Sequence, residues 1–359
     1  MVKYFTTLLA ACCLSLAAAT GADAKKPAAV EPQVLRGPFL FLTTPYFEDG
    51  SFDAVTLAAE ARFVDEGGAA GMVWPSSDSK FLSEDEYREG VDILIETMKG
   101  RGARLVISCN SATTEEIIEK CHYAEKKAAA EGVDIILFSR PADKLKTLDE
   151  LVESLGRIGA AIHHPFIFQT WLRTGFPNLP AKDMADLAKK YPGIMGYVKC
   201  EIPGAECNDY IEQMVAAKPA IHSVFSAWGS WQWLYQYRQL GTDGVLSQRP
   251  AYPDIYSYIW RELEKGDPDG KADEAFGKMM SMLLLRSTIG APDEHRSFHL
   301  YVLCRRGIFH NMVSRVADKH SPNGWKIHVQ KLSTPQRAEV ELRLKALKPY
   351  MTTAIPDNL

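Results

Sequence analysis

The sequence predicts an α/β fold, a (β/α)8 TIM barrel carrying a three-helix extension at its C-terminal end, and three observations lead to it. From residue 34 to residue 247, short apolar runs alternate with longer segments of helical period, the pattern of βαβ units around a parallel sheet. Eight such runs occur at even spacing. No Gly-rich dinucleotide fingerprint comes after the first of them, which favours a closed barrel over an open doubly wound sheet.

The runs are 38–43, 71–74, 104–108, 134–139, 165–169, 194–199, 223–227 and 244–247. Between them 52–65, 84–98, 114–129, 148–162 and 181–190 place apolar residues three or four apart and read as helices. Ser83 ahead of Glu84, Asp85 and Glu86, and 111–114 ahead of Glu115 and Glu116, put capping side chains and negative charge at positive helix ends. After the barrel, 272–289, 297–316 and 334–350 read as three more helices, with a Pro322-Asn323-Gly324 turn before the last. The expected organisation is a leader over 1–24, a short arm over 25–33, the barrel over 34–265 and a helical layer over 266–359 packed on it.

Composition excludes several functions. With 46% hydrophobic and 24% charged residues and a net charge of −4, the chain has the makeup of a globular protein with a sizeable core. It has no Lys/Arg stripe to neutralise phosphates, so nucleic acid is not an expected partner. Lys3, the apolar run 5–19 and the small-x-small Ala22-Asp23-Ala24 have the form of a signal peptide cleaved after Ala24, which predicts an exported protein, periplasmic or secreted. Leu9-Ala10-Ala11-Cys12 leaves open a lipoprotein site at Cys12. The run is short for a bilayer, and the rest of the sequence has none like it, so no membrane span is expected. Five of the seven cysteines lie beyond the leader: Cys109, Cys121, Cys200, Cys207 and Cys304. The odd number cannot pair completely; a Cys200–Cys207 bridge is open, but the fold needs none. There is no CxxC pair or HExxH helix, and the adjacent His163 and His164 point in different directions, so no metal is expected.

In such a barrel the active site gathers at the carboxyl ends of the strands. Lys199 closes the run Gly196-Tyr197-Val198, where desolvation can supply a neutral amine able to attack a ketone and form an imine, an electron sink for breaking or making a carbon-carbon bond. The plainer reading is an ion pair with Glu201. After the second run, Pro75-Ser76-Ser77-Asp78-Ser79 offers hydroxyls and amides to a carboxylate, or is a serine-rich turn. Arg173 in Leu172-Arg173-Thr174-Gly175 has the fork to hold a second carboxylate, or is a surface arginine. Trp228, Trp231 and Trp233 either line a sugar pocket or pack helix against barrel.

Beyond these residues, several motifs agree in order and spacing with one family. They are Leu42-Thr43-Thr44-Pro45-Tyr46 with Asp49-Gly50-Ser51-Phe52-Asp53; Leu82-Ser83-Glu84-Asp85-Glu86-Tyr87-Arg88; Arg173-Thr174-Gly175; Gly193 through Glu201 around Lys199; and Gly241-Thr242-Asp243-Gly244-Val245-Leu246-Ser247. From 37 to about 347 the chain resembles the dihydrodipicolinate synthase and N-acetylneuraminate lyase superfamily, class I aldolase barrels that use pyruvate. The resemblance implies that Lys199 forms the Schiff base, that Ser76 and Ser77 bind the keto-acid carboxylate, and that Arg173 binds an acceptor carboxylate. It implies no metal or organic cofactor, because the imine is the electron sink, and a homo-oligomer, dimer or tetramer.

The departures cluster at the mouth. The glycines and glutamate of the family's Gly-Thr-Thr-Gly-Glu are absent from Pro75-Ser76-Ser77-Asp78-Ser79. In Ser139-Arg140-Pro141-Ala142-Asp143 the residue aligned with the family's proton-relaying tyrosine is Asp143, which makes it a candidate acid/base, with His164 or Gln169 as alternatives. The family's Tyr-Asn strand end becomes Gln169-Thr170-Trp171, so Gln169 is expected to face the substrate. Ser226-Ala227-Trp228 replaces a glycine-bearing loop, placing Ser226 among the expected substrate-binding residues and Trp228 where it narrows the pocket. The expected function is a Schiff-base lyase or aldolase acting on pyruvate or another 2-keto acid, sugar-acid cleavage included. The alternative is a barrel that binds a carboxylated or sugar ligand without an imine or without turnover.

Overall fold

The computed structural model describes residues 30–76, 80–170, 178–202, 204, 206–227, 230–247, 249–287 and 297–352. The leader with Cys12, and Ser77, Arg173 and Trp228, lie outside the described residues.

Eight parallel strands close on themselves in sequence order: β1 (Gly37–Phe41), β2 (Gly71–Trp74), β3 (Arg104–Ser108), β4 (Ile135–Ser139), β5 (Phe166–Gln169), β6 (Tyr197–Cys200), β7 (Ser223–Ser226) and β8 (Gly244–Ser247). Each falls within about two residues of a run expected from the sequence, apart from β6, which begins three residues later. Alternation along the strands sorts side chains onto two faces. Phe39, Val106, Ile136, Phe138, Ile167 and Phe225 fill the interior, while Leu40, Met72, Leu137 and Val198 face the surrounding helices. Burying each large apolar side chain contributes roughly 1.5–3 kcal/mol, so both faces of the wall favour closure.

The crossovers are α1 (Ala54–Glu66), α2 (Glu84–Met98), α3 (Thr114–Glu131), α4 (Leu148–Ala161), α5 (Ala181–Lys190) and α6 (Glu206–Ala216), then a single turn α7 (Trp233–Tyr235) running into a π-turn, Gln236–Leu240, and α8 (Pro253–Glu264). Ser83, Thr113 and Thr147 each close a reciprocal capping box with Glu86, Glu116 and Glu150, worth about 1 kcal/mol apiece. Closure of the ring depends on small residues where β8 meets β1. Gly244 pairs with Gly37, and a Cβ at Gly244 would stand 2.1 Å from the Gly37 carbonyl oxygen.

Beyond the barrel come α9 (Lys271–Leu283), α10 (Ser297–Arg305) and α11 (Thr334–Leu347). A wholly buried ion pair, Arg306 to Asp254 at 2.5 Å, ties the end of α10 to α8, and the Thr352 amide donates to the same carboxylate. The expected helix over 297–316 stops at Arg305, and the chain then forms an antiparallel hairpin, β9 (Val313–Ala317) and β10 (Trp325–Val329). Pro322-Asn323-Gly324 is the hairpin's turn and not a helix lead-in. Arg315 of β9, almost wholly buried, fastens the hairpin to the rim of the barrel. Its guanidinium pairs with Glu86 at 2.5 Å, donates to the carbonyls of Gly50 and Phe81 (2.9 Å each), and lies over the rings of Tyr46 and Trp325. Among the described residues no helix is long and apolar enough to cross a membrane.

Candidate active site

The site begins with the strand alternation of β6. Tyr197 faces the barrel interior, so Lys199, two residues on, faces it too and ends near the carboxyl rim. Its side chain is only 2% exposed. The ammonium stands 4.7 Å from the centroid of Phe41 and 6.0 Å from that of Phe138, a surrounding that helps a cation through the ring faces but withholds water. Register supplies the first polar partner: Gln169 lies opposite Lys199 in the β5–β6 ladder, and Lys199 Nζ donates to Gln169 Oε1 at 3.0 Å. The second is Glu201, whose carboxylate comes within 2.6 Å of Nζ. A charge buried this deeply is tolerated only when paired and hydrogen-bonded, and these two oxygens meet that need.

Thr170 sets the geometry of both. Its amide and hydroxyl donate to the Lys199 carbonyl (3.0 and 3.3 Å), and the same hydroxyl oxygen accepts from the Glu201 amide at 2.8 Å. One buried threonine therefore holds the backbone on either side of Cys200. The ion pair with Glu201 that the sequence offers as the plainer reading is present, its approach to Nζ coming from the turn that leaves β6.

A second polar group sits over β3 and β4. Asn110 Oδ1 accepts from the Arg140 amide at 2.9 Å, and Asn110 Nδ2 donates to Ser108 Oγ at 2.8 Å. Arg140 pairs with Asp143 at 3.2 Å. Asp143 is thus a half-exposed loop carboxylate held by an arginine, while the described contacts of Lys199 Nζ go to Gln169, Glu201 and the two phenyl rings. On the β1 side, Glu60 of α1, fully buried, accepts from the Thr43 amide at 2.9 Å. Its signal in the sequence is a lone charge on the apolar stripe of α1.

The other expected site residues occupy several places around the barrel. Ser76 is half-buried just beyond β2. Ser226 lies on the helix side of the wall, next to inward-facing Phe225, with its hydroxyl 3.3 Å from Thr242 Oγ1; it does not face Lys199. His164 precedes β5, at the amino-terminal end of the barrel, with Nδ1 3.0 Å from Glu125, so it cannot stand in for a proton relay at the mouth. Burial alone would raise the Glu125 carboxyl, but the hydrogen bonds of His164 and the His163 amide outweigh it and hold it below its ordinary range. Trp233 is fully buried and stacked on Tyr256, a packing role, whereas Trp231 is exposed. Cys200 and Cys207 are both free and buried, and burial pushes both thiols up. Among the described residues no cluster of His, Cys, Asp or Glu side chains could hold a metal ion.

No family model matches the chain. It is 26% identical over 164 residues to a 4-hydroxy-tetrahydrodipicolinate synthase of Brucella abortus, and 30% identical over 155 residues to that of Bradyrhizobium diazoefficiens, covering 45% and 43% of this chain and 52% and 48% of those proteins. The chain thus spans about half the length of the curated relatives it matches. The structural likeness is broader. The N-acetylneuraminate lyase of Proteus mirabilis superposes with a TM-score of 0.69 over 89% of this chain and all of that one, at 15% identity. The fold is that of the dihydrodipicolinate synthase and N-acetylneuraminate lyase structures. YagE, a prophage protein of the dihydrodipicolinic acid synthase family from E. coli K12 in complex with pyruvate, gives the same TM-score at 18% identity over 87% of this chain and 98% of its own. The barrel accounts for the likeness in fold, and in this chain a hairpin fastened by Arg315 lies at its rim.

Proposed function

We propose that the protein is a Schiff-base-forming lyase or aldolase acting on pyruvate or another 2-keto acid, sugar-acid cleavage included, with Lys199 as the amine that forms the imine. The observation that carries this reading is a lysine 2% exposed at the carboxyl end of a barrel strand, among phenyl rings, with its nitrogen held by two side-chain oxygens. An amine so placed reacts without first shedding a full hydration shell, and the aromatic layer beneath excludes water from the imine. Likeness in fold to N-acetylneuraminate lyase, and in sequence to 4-hydroxy-tetrahydrodipicolinate synthases over half their length, supports the same chemistry.

The test is intact-mass spectrometry after incubation with pyruvate, other 2-keto acids and sialic acids, with and without borohydride. One reduced ligand per chain is expected, and the adduct is lost in Lys199→Ala. A second reading, ligand binding without an imine, draws on the 2.6 Å contact that already engages the ammonium. Saturable binding of a keto acid with no borohydride adduct would support it and sink the first.

A further inference from the structure

We infer that Glu201 is the proton carrier of the imine-forming site, a role that rests on the reading of Lys199 given above. Three observations place it there. Its carboxylate is 2.6 Å from Nζ, within the reach of direct proton transfer. Its side chain is 26% exposed where that of Lys199 is 2%, so one side chain touches both the buried nitrogen and solvent. And its backbone is fixed by Thr170, which binds the Lys199 carbonyl and the Glu201 amide together, so the pair keeps its spacing. Of the groups touching Nζ among the described residues, Gln169 has an amide that does not titrate and Phe41 and Phe138 offer only ring faces. Glu201 alone can both take up and release a proton.

The steps balance without any outside reagent. The ammonium proton passes from Nζ to the Glu201 carboxylate, leaving a neutral amine and a carboxylic acid. The nitrogen lone pair attacks the keto carbon while the acid protonates the carbonyl oxygen, forming a C–N bond and a hydroxyl. The regenerated carboxylate removes the second proton from nitrogen, giving a neutral carbinolamine. The acid then protonates the hydroxyl, the C–O bond breaks, and water leaves. The product is a protonated imine beside a Glu201 carboxylate, the same charge pair as at the start. Gln169 keeps Nζ aimed throughout.

The experiment is a borohydride-quenched time course on the full chain with pyruvate, monitored by intact mass, for wild type, Glu201→Gln, Glu201→Asp and Glu201→Ala with and without acetate. Glu201→Gln is expected to reach the wild-type yield of one adduct per chain, at a rate lower by about 100-fold or more, within the range of general acid–base contributions. Added acetate is expected to speed the Glu201→Ala variant in proportion to its concentration, which a merely structural carboxylate would not allow. Glu201→Asp, with its charge kept and its reach cut by one methylene, is expected to fall between; it keeps the test decisive if the neutral variants do not fold, since trapping by it at the wild-type rate overturns the assignment. Normal trapping by Glu201→Gln, or a slow Glu201→Ala that acetate leaves slow, also overturns it while leaving Lys199 in place. No adduct in wild type removes both readings together.

Discussion

Lys199 carries a charge into a layer of phenyl rings, and what keeps it there is a pair of oxygens supplied by two different strand ends. Gln169 contributes one neutral hydrogen bond to that arrangement. Gln169→Ala is expected to slow borohydride trapping by roughly three- to tenfold, the kinetic equivalent of about 1 kcal/mol, without abolishing it. A loss as complete as that of Lys199→Ala would mean that Gln169 takes part in the chemistry and does not merely aim the amine. At this scale the sequence is more informative about single residues than about their meetings. Lys199 is visible because a cation closing an apolar run needs a reason. That Gln169 stands opposite it depends on the β5–β6 register, which spacing along one strand does not encode, whereas the pairing with Glu201 is expected from the sequence and met by the turn that Thr170 holds. Ser226 shows the converse. Its place near a strand end is legible, but the face it occupies is set by alternation from Phe225.

The hairpin β9–β10 is the element that sequence patterning misses most clearly. In a half-buried strand the inward positions are expected to be apolar, yet the inward residue between Val313 and Ala317 is Arg315, and this breaks the alternation. Its burial is explained by Glu86, two carbonyls and two aromatic rings, partners that apart from Trp325 lie far away in the chain. Arg315→Ala is expected to cost about 3 kcal/mol, because it leaves the Glu86 carboxylate without its cation and the hairpin without its fastening; chemical denaturation measures it. The same pair makes stability depend on pH. Burial by itself would raise the Glu86 carboxyl, but the Arg315 guanidinium and the Ser83 amide hold it below the usual range. A depressed carboxyl stabilises the fold above its unfolded-state value, and the contribution is lost as pH falls through the folded-state value. The stability advantage of wild type over Glu86→Gln is therefore expected to be full at neutral pH and to shrink below about pH 4. An advantage that grows on acidification would contradict the assignment of the pair.

For the molecule as a whole, the barrel is legible because all eight runs are buried on both faces, a demand strong enough to mark each strand in the sequence. Closure leaves a fainter trace, in the glycines of β1 and β8. Gly244→Ala would drive a methyl group against the backbone oxygen of Gly37, which no side-chain rotation can relieve. The expected result is a loss of several kcal/mol, about 3 or more, or failure to fold, whereas alanine at Gly277, where a Cβ meets nothing within 4 Å, is expected to be neutral or slightly stabilising as a helix substitution. Equal thermal stability of the two variants would show that β8 can shift away from β1 without breaking the ring.

The bond from Arg315 to the Gly50 carbonyl joins positions 265 residues apart, and this orders events during synthesis. A ribosome adds about 5–20 residues per second, so the loop carrying Gly50 waits on the order of ten seconds or more before its anchor exists. The seven strands after β1 emerge within that interval. A nascent chain halted just short of Arg315 holds every residue of the barrel and the Lys199–Glu201 pair, but the rim segment beside β1 lacks the bond that Arg315 supplies to Gly50. A segment made after the whole barrel is what finishes the barrel's first turn.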